Sequence, residues 1–467
     1  MTVQVIVIGG GVAGLAAALR LRERLTILGK PYEVHLLEAS GRVGGVIATF
    51  QKNDFLLEAG PDSFISEKRR GVGLCQDLGI MREIIETNKD HRRSLIAFKG
   101  HLHPVPDGFY LMAPSYIWPT LMSPLLSFKG KLRMFKEYGI PLQPQEDESV
   151  GSFVRRRLGD EVLTRLAQPL LSGIYSADPD KLSLRATFPQ FLEMEKRGGV
   201  LRNLAKKTGA GVAEASGARY KLFVTLKSGM QSLVDTLAKK LGPLVHLNVS
   251  VSQIEKSGSK WRLTLNEGQT MEADAVCIAL PAPGISRLAS FFDSEVASLV
   301  GKIPYTDSIT ANFALKESDI KNPLNGFGFV VPEIEKRSLS ACTFVHRKFP
   351  GRAPKGYALL RAYAGGKAAA ALWNQSDADI QSRFFSDLKA LLGITGTALF
   401  STLQRYKNAL PQYAVGHLDR LKEIDAKMAQ HRGLALAGNW RRGVGVPDCI
   451  ESGEDAADSI VMQLCQI

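Results

Sequence analysis

Three glycines near the start of the chain, Gly9, Gly11 and Gly14, have the spacing G-x-G-x-x-G. Glycines at these positions permit a tight turn, the close approach of a ligand and the close packing of a helix on a strand. The N–H groups at the start of a following helix bind phosphate, and the helix dipole favours its negative charge. The spacing therefore predicts a pyrophosphate-binding loop made of Gly9, Gly10, Gly11, Val12, Ala13 and Gly14.

Glu38 lies 24 residues after Gly14, close to the spacing of the acid that binds ribose in dinucleotide sites. A carboxylate at this position accepts hydrogen bonds from free ribose hydroxyls and repels a 2′-phosphate. The pair of features therefore favours a dinucleotide and argues against NADP.

The elements around the loop fit this chemistry. Val3–Ile8 is a β-branched run typical of a buried parallel strand, residues 15–25 have helical composition, and residues 32–37 form a second strand that ends at Glu38. This is a βαβ opening with the dinucleotide fingerprint in its expected context. It predicts the α/β fold class with a Rossmann-like domain.

A second glycine-rich segment stands near the end of the chain. Residues 434–437 predict a short strand, residues 443–447 a loop, and Asp448 can cap a final helix. This arrangement would point another helix dipole at a ligand. The helix could equally serve only to pack against the sheet, and both interpretations stay open at this stage.

Length, charge and cysteine usage bound the remaining possibilities. A chain of 467 residues predicts two or three domains, and 59 Lys and Arg against 46 Asp and Glu give a net charge of +13. This balance favours nucleic acid, an acidic membrane face or an acidic small molecule as partner. Five cysteines without a CxxC or a zinc-like Cys/His spacing predict no metal site and a reduced, cytoplasmic compartment. The first residues predict a folded strand, not a signal peptide.

Residues 108–128 carry no charged side chain, which is long enough to raise the question of a membrane span. Prolines recur within it every five residues and would break a simple spanning helix. Buried helices and turns, or a surface that faces a membrane, are the two interpretations. Four basic residues follow that could meet lipid phosphates or simply face solvent: Lys129, Lys131, Arg133 and Lys136.

Beyond Glu38 the sequence becomes recognisable, with an R-x-G-G loop at residues 42–45 and the segment Gly60-Pro61-Asp62-Ser63. These motifs resemble those of the FAD-dependent amine-oxidase and protoporphyrinogen-oxidase superfamily. Two further segments, residues 169–175 and 411–417, resemble the porphyrinogen oxidases of haem synthesis. The pattern along the whole chain is most similar to the Gram-positive type, the coproporphyrinogen III oxidases.

The resemblance implies three structural units. A discontinuous FAD-binding domain would comprise residues 1–67, 222–281 and 432–467. A mixed α/β substrate domain, residues 68–90, 190–221 and 282–431, and a helical, membrane-facing domain, residues 91–189, would be inserted into it.

The resemblance also implies the reaction. An oxygen-dependent FAD oxidase would remove six electrons from coproporphyrinogen III in three steps, turning three O₂ into three H₂O₂. Because the flavin carries the chemistry, no catalytic side chain is assigned and no Ser/His/Asp or Cys/His constellation is needed. Protoporphyrinogen IX is the alternative substrate.

Site residues follow by resemblance, position by position. The Gly9–Gly14 loop would hold the pyrophosphate. The rest of the FAD would contact Glu38, Ala39, Arg42, Gly45, Gly60, Pro61, Asp62, Ser63, Val251, Tyr406, Val444, Gly445 and Val446. The porphyrinogen would meet Lys68, Gly173, Arg361 and Tyr363.

Two residues depart from the pattern of relatives. Tyr406 stands where many relatives have Trp, and Asn439 stands where many flavoproteins have an acid. Tyrosine can still pack on a flavin edge. The sequence predicts no hydrogen-bond partner for the Asn439 side chain.

Three other functions were weighed. A flavin amine oxidase or desaturase would share the FAD motifs, but neither an aromatic cage nor a lysine near the flavin can be placed. Rab GDP-dissociation inhibitors share the fold without flavin, which the intact Glu38 and R-x-G-G loop argue against. Nucleic acid binding has only the net charge in its favour. The predicted partners are the porphyrinogen and O₂, with peripheral contact to the inner face of the cell membrane and handover to the next haem-synthesis enzyme.

Overall fold

The computed structural model describes residues 2–29, 31–143, 145–208 and 223–465. A five-stranded parallel sheet forms the centre of the first unit. From one edge to the other its strands are Val245–Leu247, Tyr32–Glu38, Val3–Ile8, Ala275–Ile278 and Leu434–Leu436. Strands from both ends and the middle of the chain meet here, as the predicted discontinuous domain requires. The central strands are apolar because helices or a second sheet cover both faces.

One face of this sheet is covered by helices that pack closely on one another. They are Val12–Ile27, Arg69–Asp77, Gln231–Leu241 and Val446–Cys465. A methyl group on Gly453 would overlap the Ala13 carbonyl oxygen, so the first and last helices touch through their backbones. The final helix therefore does pack on the domain core.

The other face is covered by a small antiparallel sheet and three helices. The strands are Val251–Ser257, Lys260–Leu265 and Thr270–Ala273, and the helices are Ala282–Ala289, Ser294–Gly301 and His417–Met428. Trp261 and Trp440 are buried in the apolar core between them. Short strands complete the unit: Thr49–Lys52 with Phe55–Glu58, and Phe223–Leu226 between Phe64–Ile65 and Ile84–Glu86.

A seven-stranded, mainly antiparallel sheet forms the second unit. In order its strands are Phe400–Pro411, Tyr305–Lys316, Tyr357–Gly365, Ala341–Phe344, Gly328–Val330, Ser94–Phe98 and His101–Pro104. The helices Lys367–Leu372 and Asp377–Leu392 bury one face, and the helix Val345–Lys348 precedes the central strand Tyr357–Gly365. The opposite face, which carries Thr310, Asn312, Arg361 and Tyr363 in register, is directed at the first unit.

The third unit is helical. After the small hairpin Phe109–Tyr110 and Ala113–Pro114, its helices are Ile117–Met122, Phe128–Phe135, Val150–Arg157, Asp160–Val162, Gln168–Tyr175, Leu184–Thr187, Pro189–Lys196 and Val200–Thr208. A π-helical turn, Leu163–Ala167, precedes Gln168–Tyr175. It lies where Pro169 would otherwise collide with the carbonyl of residue 165 in a regular α-helix.

The sheet topology and packing differ from the predicted division at two places. Residues 94–104, assigned to the helical domain, are strands of the seven-stranded sheet. The helices Pro189–Lys196 and Val200–Thr208, assigned to the substrate domain, bury their apolar faces in the helical unit. Residues 209–221 of the same assignment lie outside the described residues.

The uncharged segment 108–128 does not form one long helix. Five of its side chains, Phe109, Met112, Ala113, Leu125 and Leu126, are buried in the core of the helical unit, whereas Trp118 and Phe128 are exposed. Within the described ranges, no helix combines the length and apolar character needed to cross a bilayer.

Candidate active site

The three fingerprint glycines differ in their surroundings. Gly9 has φ +106°, which only glycine adopts easily, and a methyl group on Gly14 would overlap the Gly9 carbonyl oxygen. Gly11 instead faces open space, with no atom within 4 Å of where a methyl group would stand. The loop is thus built closely at its two ends and leaves room at its middle for a ligand. Val12 and Ala13, both buried, begin the helix that follows.

Glu38 is fixed at the end of its strand and turned toward this loop. Its Oε2 accepts a hydrogen bond from the Gly10 N–H at 2.7 Å, and its Oε1 accepts from the N–H and the hydroxyl of Ser40 at 2.8 and 2.7 Å. Ala39 between them is exposed. Val251, also predicted at the adenine end, lies with the buried residues packed near Leu37.

The R-x-G-G loop lies directly beside the glycine loop. The Gly44 N–H donates to the Gly10 carbonyl at 2.8 Å, and a methyl group on Gly45 would stand 3.5 Å from the Gly11 Cα. Arg42 donates to the Ile47 carbonyl at 2.9 Å and the Gly45 carbonyl at 2.5 Å. Its guanidinium therefore shapes the loop that it belongs to.

The segment Gly60 to Ser63 continues the same line away from Glu38. Gly60 has no room for a side chain, because a methyl group would overlap the Val46 carbonyl oxygen. Asp62 accepts from Lys348 at 2.9 Å and from the Ser63 hydroxyl at 2.6 Å. Burial alone would raise the pKa of Asp62, but Lys348 and Arg361 outweigh it and hold this pKa at about 2. Pro61 completes the half-buried turn.

Arg361 lies beneath that segment, on the central strand of the seven-stranded sheet. It is only 2% exposed, and its Nη2 donates to the carbonyls of Ala59, at 2.9 Å, and Gly60. Its guanidinium carbon lies 4.8 Å from the centre of the Tyr363 ring, and burial raises the pKa of the Tyr363 hydroxyl. Tyr406 is half-buried on the edge strand of the same sheet. Burial raises the pKa of its hydroxyl, and the positive charges of Arg361 and Arg42 oppose this rise.

The glycine loop, the R-x-G-G loop and the Gly60 segment lie next to one another, and we call the region along them the cofactor crevice. The C-terminal loop carries the remaining predicted FAD contacts. Val444 and Gly445 are half-buried and Val446 starts the long final helix. The Asp448 carboxylate packs against Gly445 and binds the Lys68 ammonium group. Lys68 thus ties the start of the Arg69–Asp77 helix to the final helix.

The ion pair of Arg70 with Glu454 at 2.8 Å joins the same two helices. The basic run 68–70 therefore contributes at least two ion pairs to this helix packing. Gly173 lies apart from them, exposed in the last turn of Gln168–Tyr175 and facing Val330 of the seven-stranded sheet.

Asn439, the other departure from the pattern, binds inside the protein. Its Oδ1 accepts from the Tyr305 hydroxyl at 3.2 Å and its amide donates to the Ala409 carbonyl at 3.3 Å. Tyr413 donates to its backbone carbonyl. The side chain stabilises the junction of the final loop with the substrate-domain strands.

Sequence reasoning missed the residues that hold the Gly60 segment in place. The Thr310 hydroxyl donates to the Ala59 carbonyl at 3.0 Å, and the Asn312 amide donates to the Glu58 carbonyl at 3.4 Å. Lys348 holds Asp62 from the neighbouring helix. No motif marks these residues, because their role depends on a contact across about 250 residues of chain.

A cavity of about 280 Å³ lies at the end of the seven-stranded sheet nearest to the Gln168–Tyr175 helix. Its lining is part apolar, and its polar and charged members include Ser172, Asp178, Glu333, Lys336, Arg337 and Lys367. Lys367 lies 3.3 Å from Asp178 and 3.5 Å from Glu333. The cavity thus carries basic groups near Gly173 that are partly neutralised by acids.

Comparison with known proteins agrees with this architecture. The profile of the family described as flavin containing amine oxidoreductase matches residues 12–461. The chain is 35% identical to coproporphyrinogen III oxidase of Bacillus subtilis (strain 168), with 98% of each chain covered. It is 32% identical to coproporphyrinogen III oxidase of Staphylococcus aureus, covering 99% of this chain and 100% of that protein.

A solved structure is also similar over its full length. The crystal structure of an Exiguobacterium sp. 255-15 protein assigned as a protoporphyrinogen oxidase has a TM-score of 0.88 and 29% identity, with 99% of each chain covered. The predicted fold class and flavin dependence are confirmed, and the dinucleotide fingerprint identifies the flavin as FAD. The chain belongs to the flavin-containing amine oxidoreductase family.

Proposed function

We propose that the protein is an oxygen-dependent FAD oxidase that converts coproporphyrinogen III to coproporphyrin III in haem biosynthesis. The substrate would lose six electrons and six protons, and three O₂ would become three H₂O₂. The observation that carries this proposal is the similarity, along nearly the whole of both chains, to two coproporphyrinogen III oxidases.

The crevice suits an extended dinucleotide. Open space at Gly11, the fixed carboxylate of Glu38 and the run of glycines at 44, 45 and 60 form one continuous line. FAD would lie along it, with its adenosine near Glu38 and its ring beside the Gly60 segment. When bound, the flavin supplies the two-electron redox chemistry.

The protein's own residues bind and orient. Arg361, Thr310 and Lys348 hold the segment that would flank the ring. Gly173 belongs to the last turn of its helix, where carbonyls lack partners within the helix and can accept from pyrrole N–H groups. Tyr363 and Tyr406 offer flat apolar faces with a polar end.

A side-by-side rate comparison tests the proposed substrate. FAD-loaded protein should turn coproporphyrinogen III into fluorescent coproporphyrin, consuming O₂ and releasing H₂O₂, with kcat/KM at least tenfold higher than for protoporphyrinogen IX. The Exiguobacterium similarity favours protoporphyrinogen IX as the second candidate, and the reverse ratio would establish it. A flavin-loaded preparation inert toward both would exclude a porphyrinogen oxidase, and peroxide release with amines would then indicate an amine oxidase.

The predicted FAD position has its own test. Gly11→Ala fills the open space that the pyrophosphate would occupy, so FAD affinity should fall at least tenfold, by fluorescence titration, without loss of thermal stability. Gly73→Ala is the matched control, because a methyl group also finds open space there, away from the crevice. Equal FAD affinities for the two variants would contradict this placement.

We further propose contact with the anionic inner face of the cell membrane. Trp118, Met122, Phe128 and Leu132 are 54 to 81% exposed on two neighbouring helices of the helical unit. Lys129 and Lys131 lie beside them, and apolar side chains flanked by lysines suit an anionic bilayer surface. The five free cysteines fit the cytoplasmic location that this contact requires. Handover of the product to the next enzyme would occur at this surface.

Vesicle flotation tests the contact. The protein should float with vesicles that contain anionic lipid and float less with neutral phosphatidylcholine. The double variant Trp118→Ser and Phe128→Ser should lose flotation, while Phe291→Ser, exposed on another unit, should not. Equal flotation of the unaltered protein, the double variant and Phe291→Ser would show that these exposed apolar side chains do not contact the membrane.

A further inference from the structure

Five charged residues lie together where the first unit meets the seven-stranded sheet, and we call them the seam cluster: Glu58, Asp62, Lys348, Arg352 and Arg361. Three are cations and two are acids, so their formal sum is +1. Burial raises the pKa of Glu58, which makes the sum more positive whenever that acid is protonated. Such an excess in a buried place is costly unless another negative charge meets it.

The acids of the seam cluster are already occupied. Asp62 binds Lys348, and Glu58 accepts from the Met230 N–H at 2.9 Å and the Thr49 hydroxyl at 2.8 Å. Arg352 donates to backbone carbonyls at the Phe223–Leu226 strand. Among the described residues, neither Arg352 nor Arg361 forms an ion pair, so the two guanidinium groups share the excess charge, and Arg361 is the one that binds the Gly60 segment.

Arg361 itself is only half satisfied. Its Nη2 binds the Ala59 and Gly60 carbonyls, but its Nε and Nη1 are buried and have no hydrogen-bond partner in the described part of the chain. The Oδ1 atom of Asn312, directly across the strand pair, is equally without a partner among the described residues. Polar groups left in this state are rare, and each calls for an explanation, of which a role at a functional site is one.

The place of this guanidinium relative to the cofactor crevice supplies one. Arg361 binds the carbonyl of Gly60, on the segment that would flank the flavin ring, and its charge acts on Tyr406, two strands away in the same sheet. A substrate carboxylate cannot reach Nε or Nη1 without displacing buried neighbours, since both atoms are closed to solvent.

We propose that Arg361 acts on the flavin and not on the substrate: it positions the Gly60 segment and places an uncompensated positive charge beside the ring. This inference rests on the proposed flavin oxidase function. A nearby positive charge stabilises the negative charge that a flavin gains when it takes up a pair of electrons. Arg361 is thus a positioning residue that also raises the reduction potential of the bound FAD.

The test measures potential and FAD affinity without any porphyrinogen. Arg361→Met should lower the midpoint potential of the FAD and weaken FAD binding at least tenfold. Arg361→Lys keeps the charge, but its side chain is shorter and stops short of the position of Nη2, so it should keep a potential near that of the unaltered protein with the same weakened binding. Arg405→Met is the control, because that guanidinium lies in the same sheet away from the site and pairs with Asp377.

Steady-state kinetics at saturating FAD separate the two roles. A positioning residue predicts a kcat at least tenfold lower for Arg361→Met with the porphyrinogen KM within twofold. A KM raised tenfold with unchanged potential would show a substrate ligand and overturn the inference.

If Arg361→Met binds no FAD at all, Arg361→Lys decides: unaltered FAD affinity in that variant would overturn the positioning role. Failure of the proposed function looks different. The unaltered protein would oxidise neither porphyrinogen, while its FAD potential would still depend on Arg361.

Discussion

Two buried arginines, Arg157 in the helical unit and Arg361 at the seam cluster, differ in how many of their guanidinium nitrogens have hydrogen-bond partners. Both are 1 to 2% exposed. Arg157 has partners on all three nitrogens: Glu137 on Nε and Nη2, and the carbonyls of Ile140 and Pro141 on Nη1. Arg361 has partners on one nitrogen only.

The surroundings explain the difference. Glu137, which binds Arg157, also accepts from the N–H groups of Val200 and Leu201, so one ion pair joins three helical segments and caps the last of them. Nothing remains there for a ligand to bind. A buried arginine with all its donors satisfied stabilises structure, whereas one with donors and charge left over indicates a binding or electrostatic role.

The largest expected effect is on the satisfied pair. Arg157→Met leaves Glu137 buried without its counter-ion and should lower the free energy of unfolding by about 3–5 kcal/mol. Urea unfolding measures this change. A loss below about 1 kcal/mol would mean that the helical unit does not depend on the pair, and the comparison would fail.

The next effect depends on pH and concerns Asp62. Its folded pKa of about 2 lies below the unfolded value of about 3.9, so Asp62 contributes about 2–3 kcal/mol above pH 4, and this is lost as the pH falls through 2. Lys348→Met removes the main source of this lowering. The stability gap between Lys348→Met and the unaltered protein should be widest above pH 4 and narrow toward pH 2 in urea unfolding. A gap independent of pH would contradict the assignment.

Arg361→Met should cost far less than Arg157→Met in the FAD-free protein. Two hydrogen bonds are lost, but an uncompensated buried charge is lost with them, so the net change should be about 1 kcal/mol or less. Thermal unfolding without FAD measures it. A cost near that of Arg157→Met would show that Arg361 is mainly structural.

The smallest expected change in stability concerns an exposed ion pair. Arg155 binds Asp180 at 2.7 Å at the surface, two residues before Arg157 in sequence. Arg155→Met should change stability by about 0.2–1 kcal/mol, measured as for Arg157→Met. If both variants lose the same stability, burial does not distinguish the pairs.

The sequence predicted the elements whose signals are local. The strand, loop and helix from Val3 to Ile27, Glu38 and the final strand and loop occur close to where spacing and composition placed them. The final helix begins at Val446, so Asp448 lies in its first turn and the prediction that Asp448 caps this helix is wrong. The substrate roles of Lys68, Gly173 and Tyr363 remain predictions, and the flavin role proposed for Arg361 would replace its predicted substrate role. Pairings such as Lys68 with Asp448, which span 380 residues, have no local signal in the sequence.

The observed packing differs from the predicted domain boundaries for a related reason. Residues 94–104 follow two arginines and carry two histidines. Only the pairing of their first strand with Gly328–Val330, more than 230 residues later, identifies them as part of the large sheet. The helix Val200–Thr208 begins in a stretch of Gly and Lys that resembles a linker by composition. The unit to which this helix belongs can be recognised only from the core in which its apolar residues are buried.

The central parallel sheet has a consequence for synthesis on the ribosome. Its edge strand Leu434–Leu436 and the helix that packs on Val12–Ile27 are translated long after that first helix. At about 5–20 residues per second, the first helix is exposed for tens of seconds before its packing partner emerges. The inserted sheet and helical unit can fold during that interval, before both ends of the cofactor crevice are present.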